Sequence, residues 1–323
     1  MRRFAAVVLS LLLSACAGAG VVSQPWRGFA GGWTPVAAEI RRIGLGVPGG
    51  VRLASGVRFA GGVQIVAPRG DRLHGLSDLK LADGDLVAVT DSGDLVRGRL
   101  VLDRCGRLAG LSDLRLRGLT AEDGRAFPTK SEGDAESLAI TADGELVVGF
   151  EQTPRLWSYG RLNALQDRPS PRAIPPVAAG NDGLEALATG PEGLRAAAEI
   201  GGVWDCKPAR CLQLAPPPAT PPTIADWRIT GMDRDPAGEG WFVVERLYRE
   251  PIDMRARLRR MDASGRLGPV IATLSLPSTT DNFEGVAATA SASGTRLYIV
   301  SDDNDNPRQR TLLLAFDVSA GRP

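Results

Sequence analysis

Residues Asp281 to Phe316, DNFEGVAATASASGTRLYIVSDDNDNPRQRTLLLAF, decide how the rest of the chain is read. The stretch opens on a carboxylate at a turn, Asn282-Phe283-Glu284-Gly285, and runs into a short apolar segment. A linker then leads to the strand-compatible run Leu297-Tyr298-Ile299-Val300, which ends in the acidic cluster Ser301-Asp302-Asp303-Asn304-Asp305-Asn306. Leu312 to Phe316 has the composition of a further strand.

Weaker copies of this plan lie upstream. The first is Gly75-Leu76-Ser77-Asp78-Leu79 followed by Asp85 to Asp91; the second is Asp134-Ala135-Glu136-Ser137-Leu138 followed by Glu145 to Glu151. The third is Asn181-Asp182-Gly183-Leu184-Glu185 followed by Leu194 to Glu199. The fourth is degenerate, Thr230-Gly231-Met232-Asp233 followed by Trp241 to Arg246. Anchors at positions 77, 136, 185, 230 and 284 lie 59, 49, 45 and 54 apart. Periods of roughly 40–50 residues, each holding several short strands, are the signature of a β-propeller. The chain outside the four intervals has room for two more, so the spacing predicts an all-β propeller of six blades of short antiparallel strands, in one domain over 29–323. Gly56 to Ile65 would supply N-terminal strands, and Leu312 to Phe316 would return beside them to close the ring. The inner strands of a propeller line its axis. Glu136, Glu185 and Glu284 would therefore share one acidic mouth, with Asp91, Glu151, Glu199, Glu245 and Asp302 joining it or capping adjacent turns.

Composition narrows the function classes. Charges nearly balance, Lys+Arg 38 against Asp+Glu 37, so there is no basic footprint for nucleic acid. Residues 1–15 read as a targeting segment: Arg2 and Arg3, then an apolar run from Phe4 to Leu13 that is shorter than the roughly 20 residues of a membrane-spanning helix. Leu13-Ser14-Ala15-Cys16 has the form of a bacterial lipobox, with lipidation at Cys16 and a tether over 16–28; an ordinary cleaved signal is the alternative. The expectation is a monomer in the cell envelope, facing the periplasm or the exterior, touching the membrane through its lipid alone. Export permits disulfides. Cys206 and Cys211 are close enough to staple a loop; half of a metal site would need a second Cys or His pair, which the chain lacks. Cys105 is then left over, expected as a buried thiol.

The motifs GLSDL, GDAESLAI, NDGLEALA, DNFEGVA and SDDNDNPRQRTLLLAF fall in order along nearly the whole chain and resemble the phytase-like family, described as "esterase-like activity of phytase". The resemblance implies a propeller in exported or lipid-anchored proteins, with hydrolysis of a phosphoric or other ester as the expected activity. Two departures stand out: Thr230 has no carboxylate, and Ala186 stands where glycine usually follows the glutamate.

Among the candidate site residues, His74 is the only histidine, which removes histidine-rich zinc sites. It remains a candidate proton shuttle beside the first turn, against the plainer reading of a solvated loop residue. No nucleotide-binding loop or G-x-S-x-G elbow is present. What remains is oxygen. Glu136, Glu185, Glu284, Asp302 and Asp303 are candidate ligands for a hard cation such as calcium, which takes 6–8 oxygens. A bound ion could clamp a phosphorylated small molecule and polarise its ester, with Arg246, Arg308 and Arg310 holding other oxygens. The alternating spacing from Asp302 to Asn306 is that of a calcium-binding turn without the glycine and closing glutamate of an EF-hand. The same acids can instead serve architecture, as strand-end caps and partners of a neighbouring blade's amides, leaving a propeller that binds or scaffolds without catalysis.

Overall fold

The computed structural model describes residues 30–68, 70–177, 183–238 and 240–319. Cys16 and its lipobox lie outside these residues, as do Asn181 and Asp182 of the third repeat. No helix among the described residues is long and apolar enough to cross a membrane.

The chain is all strand and turn. Blade 1 is Leu76–Ala82, Asp85–Thr90, Asp94–Leu102 and Leu108–Gly118. Blade 2 is Ala135–Ile140, Glu145–Phe150, Arg155–Arg161 and Ser170–Arg172, and blade 3 is Ala186–Gly190, Gly193–Ala197, Val203–Lys207 and Arg210–Ala215. Blade 4 is Arg228–Arg234, Trp241–Arg249, Asp253–Met261 and Leu267–Leu274. Blade 5 is Asn282–Ser291, Gly294–Asp302, Thr311–Ser319 and the N-terminal strand Val57–Val66. Neighbours within each blade are antiparallel, and tight turns set the register. Asp83-Gly84, both at positive φ (53° and 83°), join the first two strands of blade 1, the residue pair that such a hairpin turn favours.

The inner strands of each blade are buried on both faces, which explains why they read as continuous apolar runs and not as alternation. In blade 1, Leu86 and Ala88 face a core shared with blade 5, while Val87 and Val89 face a core shared with blade 2. Further cores lie between blades 2 and 3 (Val147, Leu187), 3 and 4 (Ala188, Val243), and 4 and 5 (Phe242, Phe283). The first strand of every blade contacts the first strand of the next, and blade 5 contacts blade 1, so the ring closes.

Five blades therefore complete the propeller among the described residues, in place of the six the spacing predicts. The surplus length goes elsewhere. Val57–Val66 becomes the outer strand of blade 5, with Leu312 opposite Gln64 and Phe316 opposite Phe59, so the N- and C-terminal parts close the ring together. Val51–Leu53 extends blade 4 through Leu274↔Val51, Glu39–Arg42 pairs with Val57–Val66, and Thr34–Pro35 edges blade 1. A single parallel bridge, Gly61↔Leu108, stitches the outer edges of blades 5 and 1. Gly61 sits at φ +106°, and a Cβ there would fall 2.3 Å from the Leu108 carbonyl oxygen, so the approach needs glycine.

Cys206 and Cys211 sit opposite each other on adjacent strands of blade 3 and are joined as a disulfide. Cys105 is exposed, not buried: it lies in the Asp103–Arg107 turn, where its amide donates to Asp103 Oδ1.

Candidate functional site

The five inner strands all run the same way, so their first residues meet at one end of the axis. Local backbone geometry aims the anchor residues there. In blades 1, 2, 4 and 5 the pairing of the first two strands slips at the anchor: Ser77, Glu136, Thr230 and Glu284 each fall in a β-bulge and are skipped by the ladder. In blade 3, Glu185 immediately precedes the strand. A bulge turns its extra residue out of the regular pleat, which here frees the side chain to point at the axis.

Two further positions per blade complete the mouth. One lies two residues before the anchor, and the other closes the second strand. Backbone hydrogen bonds join Asp91 to Gly75, Glu151 to Asp134 and Glu199 to Gly183, while strand pairing joins Arg246 to Arg228 and Asp302 to Asn282. The blades are thus chemically unequal. Blade 2 contributes three acids (Asp134, Glu136, Glu151), blade 3 two (Glu185, Glu199) and blade 5 two (Glu284, Asp302), whereas blade 4 contributes two arginines. The position expected to hold Glu245 holds Arg246. Glu245 turns away to the neighbouring strand, accepting from Arg257 Nε (2.6 Å) and Nη2 (2.8 Å).

Arg246 ties the arginine side to the acids. Its Nη1 donates to Asn282 Oδ1 (2.6 Å) and Glu284 Oε1 (2.8 Å), and its Nη2 donates to Glu199 Oε1 (2.9 Å). Arg228 reaches the other Glu199 oxygen at 2.9 Å. Opposite, Lys130 lies 2.8 Å from Asp91 and 3.2 Å from Asp134. One carboxylate oxygen each of Asp134, Glu136 and Glu151 lie within 4.8 Å of one another. Such a spacing spans a cation at the 2.3–2.6 Å oxygen distances typical of calcium, and an all-carboxylate donor set suits a hard ion. These residues fit a cation.

The electrostatics show acids crowded beyond what the arginines neutralise. Burial first, then Glu284, Asp134, Glu151 and Asp91, push the Glu136 carboxyl well above the usual range. Burial and then Glu136, Glu151 and Glu199 do the same to Glu185. Burial with Glu284 and Asp91 raises Asp302. Glu284 is pushed up by burial to about 7 despite Arg246. Glu136 and Glu284 belong to blades that are not neighbours, so their repulsion acts across the axis. Glu185 and Glu151 also act on each other side chain to side chain, which favours the neutral form of Glu185 and the ionised form of Glu151.

Deeper along the inner strands the blades are tied together. Asp78 Oδ2 accepts from Lys80 Nζ (2.7 Å) and from the Leu138 amide of blade 2 (3.0 Å), and Asp233 accepts from the Ala288 amide of blade 5 (2.7 Å). Inter-blade amide capping, expected of the glutamates, is thus done by these aspartates.

Of the residues singled out in the sequence, Glu136, Glu185, Glu284, Asp302 and Arg246 come together at the mouth. Asp303 points outward, accepting from the Gly75 amide (3.2 Å) and the Thr311 hydroxyl (2.7 Å). Arg310 pairs with Asp281 at 3.1 Å, and Arg308 is exposed with no side-chain ion pair among the described residues. His74 lines a groove of about 550 Å³ with Asp71, Asp303 and Asp305, and its charge acts on Asp94. Asp134, Arg228 and Lys130 join the mouth unforeseen. For Asp134 a signal existed: it stands two residues before Glu136, the same offset at which Arg228 precedes Thr230 and Asn282 precedes Glu284.

A family model described as phytase-like, esterase-like activity of phytase, matches residues 71–305, and the chain belongs to this family. No curated protein matches. Solved structures with a similar chain course include one provisionally described as a gluconolactonase (12% identity, 90% of this chain and 96% of that one, TM-score 0.47). Others are the allergen Mala s 1 of Malassezia sympodialis (16%, 82% and 90%, 0.45) and the Cps50 (Swd1) β-propeller domain of Myceliophteria thermophila (11%, 88% and 100%, 0.37).

Proposed function

We propose, taking membership of the phytase-like family as the premise, that the axial mouth is a cation-dependent hydrolytic site for a small phosphoric or related ester. The observation that carries this reading is the approach of one oxygen each of the Asp134, Glu136 and Glu151 carboxylates to within 4.8 Å, in a cluster whose acids are raised by burial and then by their neighbours' charges. These three would hold the ion, with calcium the ion expected. When bound, the ion supplies positive charge to an ester oxygen and to the carboxylates around it. Glu185, its carboxyl raised by burial and then by its acidic neighbours, would serve as the general acid that protonates the leaving group. Arg246 acts through others: its fork fixes Glu284, Asn282 and Glu199, so its role is positioning. That engagement also favours a second reading, a propeller that binds a ligand without turnover, because the mouth's best anion-binding group is already used.

Purified residues 17–323 assayed against phosphomonoesters, with calcium and with chelator, test the proposal. Hydrolysis and a raised Tm are expected with calcium, and loss of both in chelator. A Tm indifferent to calcium and no hydrolysis would sink it; a calcium-dependent Tm without hydrolysis would favour the non-catalytic reading.

Location belongs to the same proposal and rests on Leu13-Ser14-Ala15-Cys16. Cys16→Ser is expected to release the protein from the membrane fraction, because the lipid supplies the membrane affinity. A wild-type chain found wholly soluble and unlipidated by mass spectrometry would remove this part.

A further inference from the structure

The loop from blade 1 to blade 2, between Gly118 and Ala135, carries an ammonium into the acid cluster. Lys130 Nζ lies 2.8 Å from Asp91 Oδ2 and 3.2 Å from Asp134 Oδ1, while its side chain stays 47% exposed. The loop that presents it is pinned. Phe127 packs against Phe150 and Trp157, at 5.4 and 6.1 Å between ring centres, and the Gly133 amide closes a turn onto the Lys130 carbonyl (2.9 Å). Lys130 is therefore a long, half-exposed stem on a fixed base.

Its position conflicts with cation binding. Asp134 belongs both to the Lys130 pair and to the three carboxylates that converge. An ammonium and a divalent ion held by the same carboxylate would lie close together, and like charges so near repel strongly. The choice of residue fits an exchangeable role. The mouth's other cations, Arg228 and Arg246, are arginines, and the Arg246 fork is held at three acceptors, whereas Lys130 is one of only three lysines in the chain (Lys80, Lys130, Lys207). A lysine is a point charge on a flexible stem, easily withdrawn to water.

We infer that Lys130 is the resident counter-ion of the mouth: its ammonium holds Asp91 and Asp134 in the cation-free protein and leaves Asp134 when a divalent cation binds there. The inference rests on the cation reading of the site and adds its regulation. Lys130 sets the affinity by competing for a ligand, and each binding event frees a positive group at the rim.

Two measurements on the mature protein test it, with calcium as the probe. Calorimetric titration of Lys130→Met is expected to show calcium bound at least about ten-fold more tightly than by wild type, since a competing charge is gone. Amine labelling of wild type, read by mass spectrometry, should show Lys130 reacting severalfold faster in saturating calcium. Lys207, paired with the exposed Glu192 on blade 3, serves as the unchanged control. Labelling needs no variant, so a poorly folding mutant would not decide the matter. Calcium binding with unchanged Lys130 labelling overturns the exchange even if Lys130→Met binds more tightly, because repulsion at a distance would then account for it. Equal affinities overturn it as well and leave the cation site standing. Absence of calcium binding by both proteins defeats the cation site itself, and this inference with it.

Discussion

Arg246→Met is expected to destabilise the cation-free protein by about 3–5 kcal/mol at pH 8, the usual cost of removing one partner from a buried ion pair. Arg246 is the hub between Glu199, Glu284 and Asn282, and without it Glu284 loses the strongest influence holding its carboxyl down. The loss should shrink on acidification. Glu284 titrates at about 7 even with the arginine in place, so near pH 5 the carboxyl is neutral and little charge is left unpaired. The sign follows from linkage: the mutant's native state holds extra protons around neutrality, so its stability falls more steeply with rising pH than that of wild type. Calcium should recover part of the loss and raise the mutant's Tm by more than it raises wild type's, because the mouth has become more negative. Denaturant titrations at pH 5 and pH 8 check this. Equal stabilities at pH 8 would mean that the arginine fork contributes nothing net.

The same arginine shows where the sequence was legible and where it was not. Anchors 77, 136, 185, 230 and 284 could be located because each polar residue interrupts an apolar run at one phase of the repeat, and four of the five are the bulged residues of the fold. Acidity alone singles out Glu245 as the blade-4 residue that joins the mouth or caps an adjacent turn, and it pairs with Arg257 of the next strand instead of joining. Equivalence between blades is set by pairing, and the bulge at Thr230 places Arg246, not Glu245, opposite Arg228. Charge asymmetry of the mouth thus rests on a one-residue slip that composition cannot reveal. Blade number failed for another reason. Length divided by period treats the N-terminal segment as a blade, yet Val51–Leu53 and Val57–Val66 are complements to the edges of blades 4 and 5, a pairing over more than 200 residues of chain. Lys130 belongs to a loop without periodicity, and only the folded loop brings it to Asp91 and Asp134. Asp302 and Asp303 look alike in sequence, but successive residues at a strand end point to opposite sides, so one faces the mouth and the other the groove.

Glu185→Gln is expected to leave the cation-free protein at least as stable as wild type, and more stable at alkaline pH. Glu136, Glu185 and Asp302 titrate well above their ordinary values and Glu284 at about 7, while Asp78 and Asp94 are raised by burial to about 7 and about 6. A carboxyl raised in the native state binds more protons there than in the unfolded chain. Stability is then full below the unfolded value of about 4 and is lost as pH rises through the folded value, at up to about 1.4 kcal/mol per pH unit for each proton held in excess. Cation-free wild type should accordingly weaken between about pH 4 and pH 8. Glutamine keeps the shape of the neutral acid and cannot ionise, so the variant should match wild type near pH 5 and show a shallower decline above it. Calcium separates the sources of the slope. It should flatten the part owed to the mouth acids and leave the part owed to Asp78 and Asp94, which lie outside the cluster of three carboxylates. In Glu185→Gln calcium should bind more weakly and stabilise less, because the ring is one potential charge poorer. An architectural glutamate would behave otherwise: its loss would cost roughly 1–3 kcal/mol with calcium and with chelator alike. Thermal melts of both proteins from pH 5 to pH 8, each with calcium and with chelator, distinguish these outcomes. Equal destabilisation under all four conditions would make the acidic mouth a structural device and remove the repulsion on which the cation site depends.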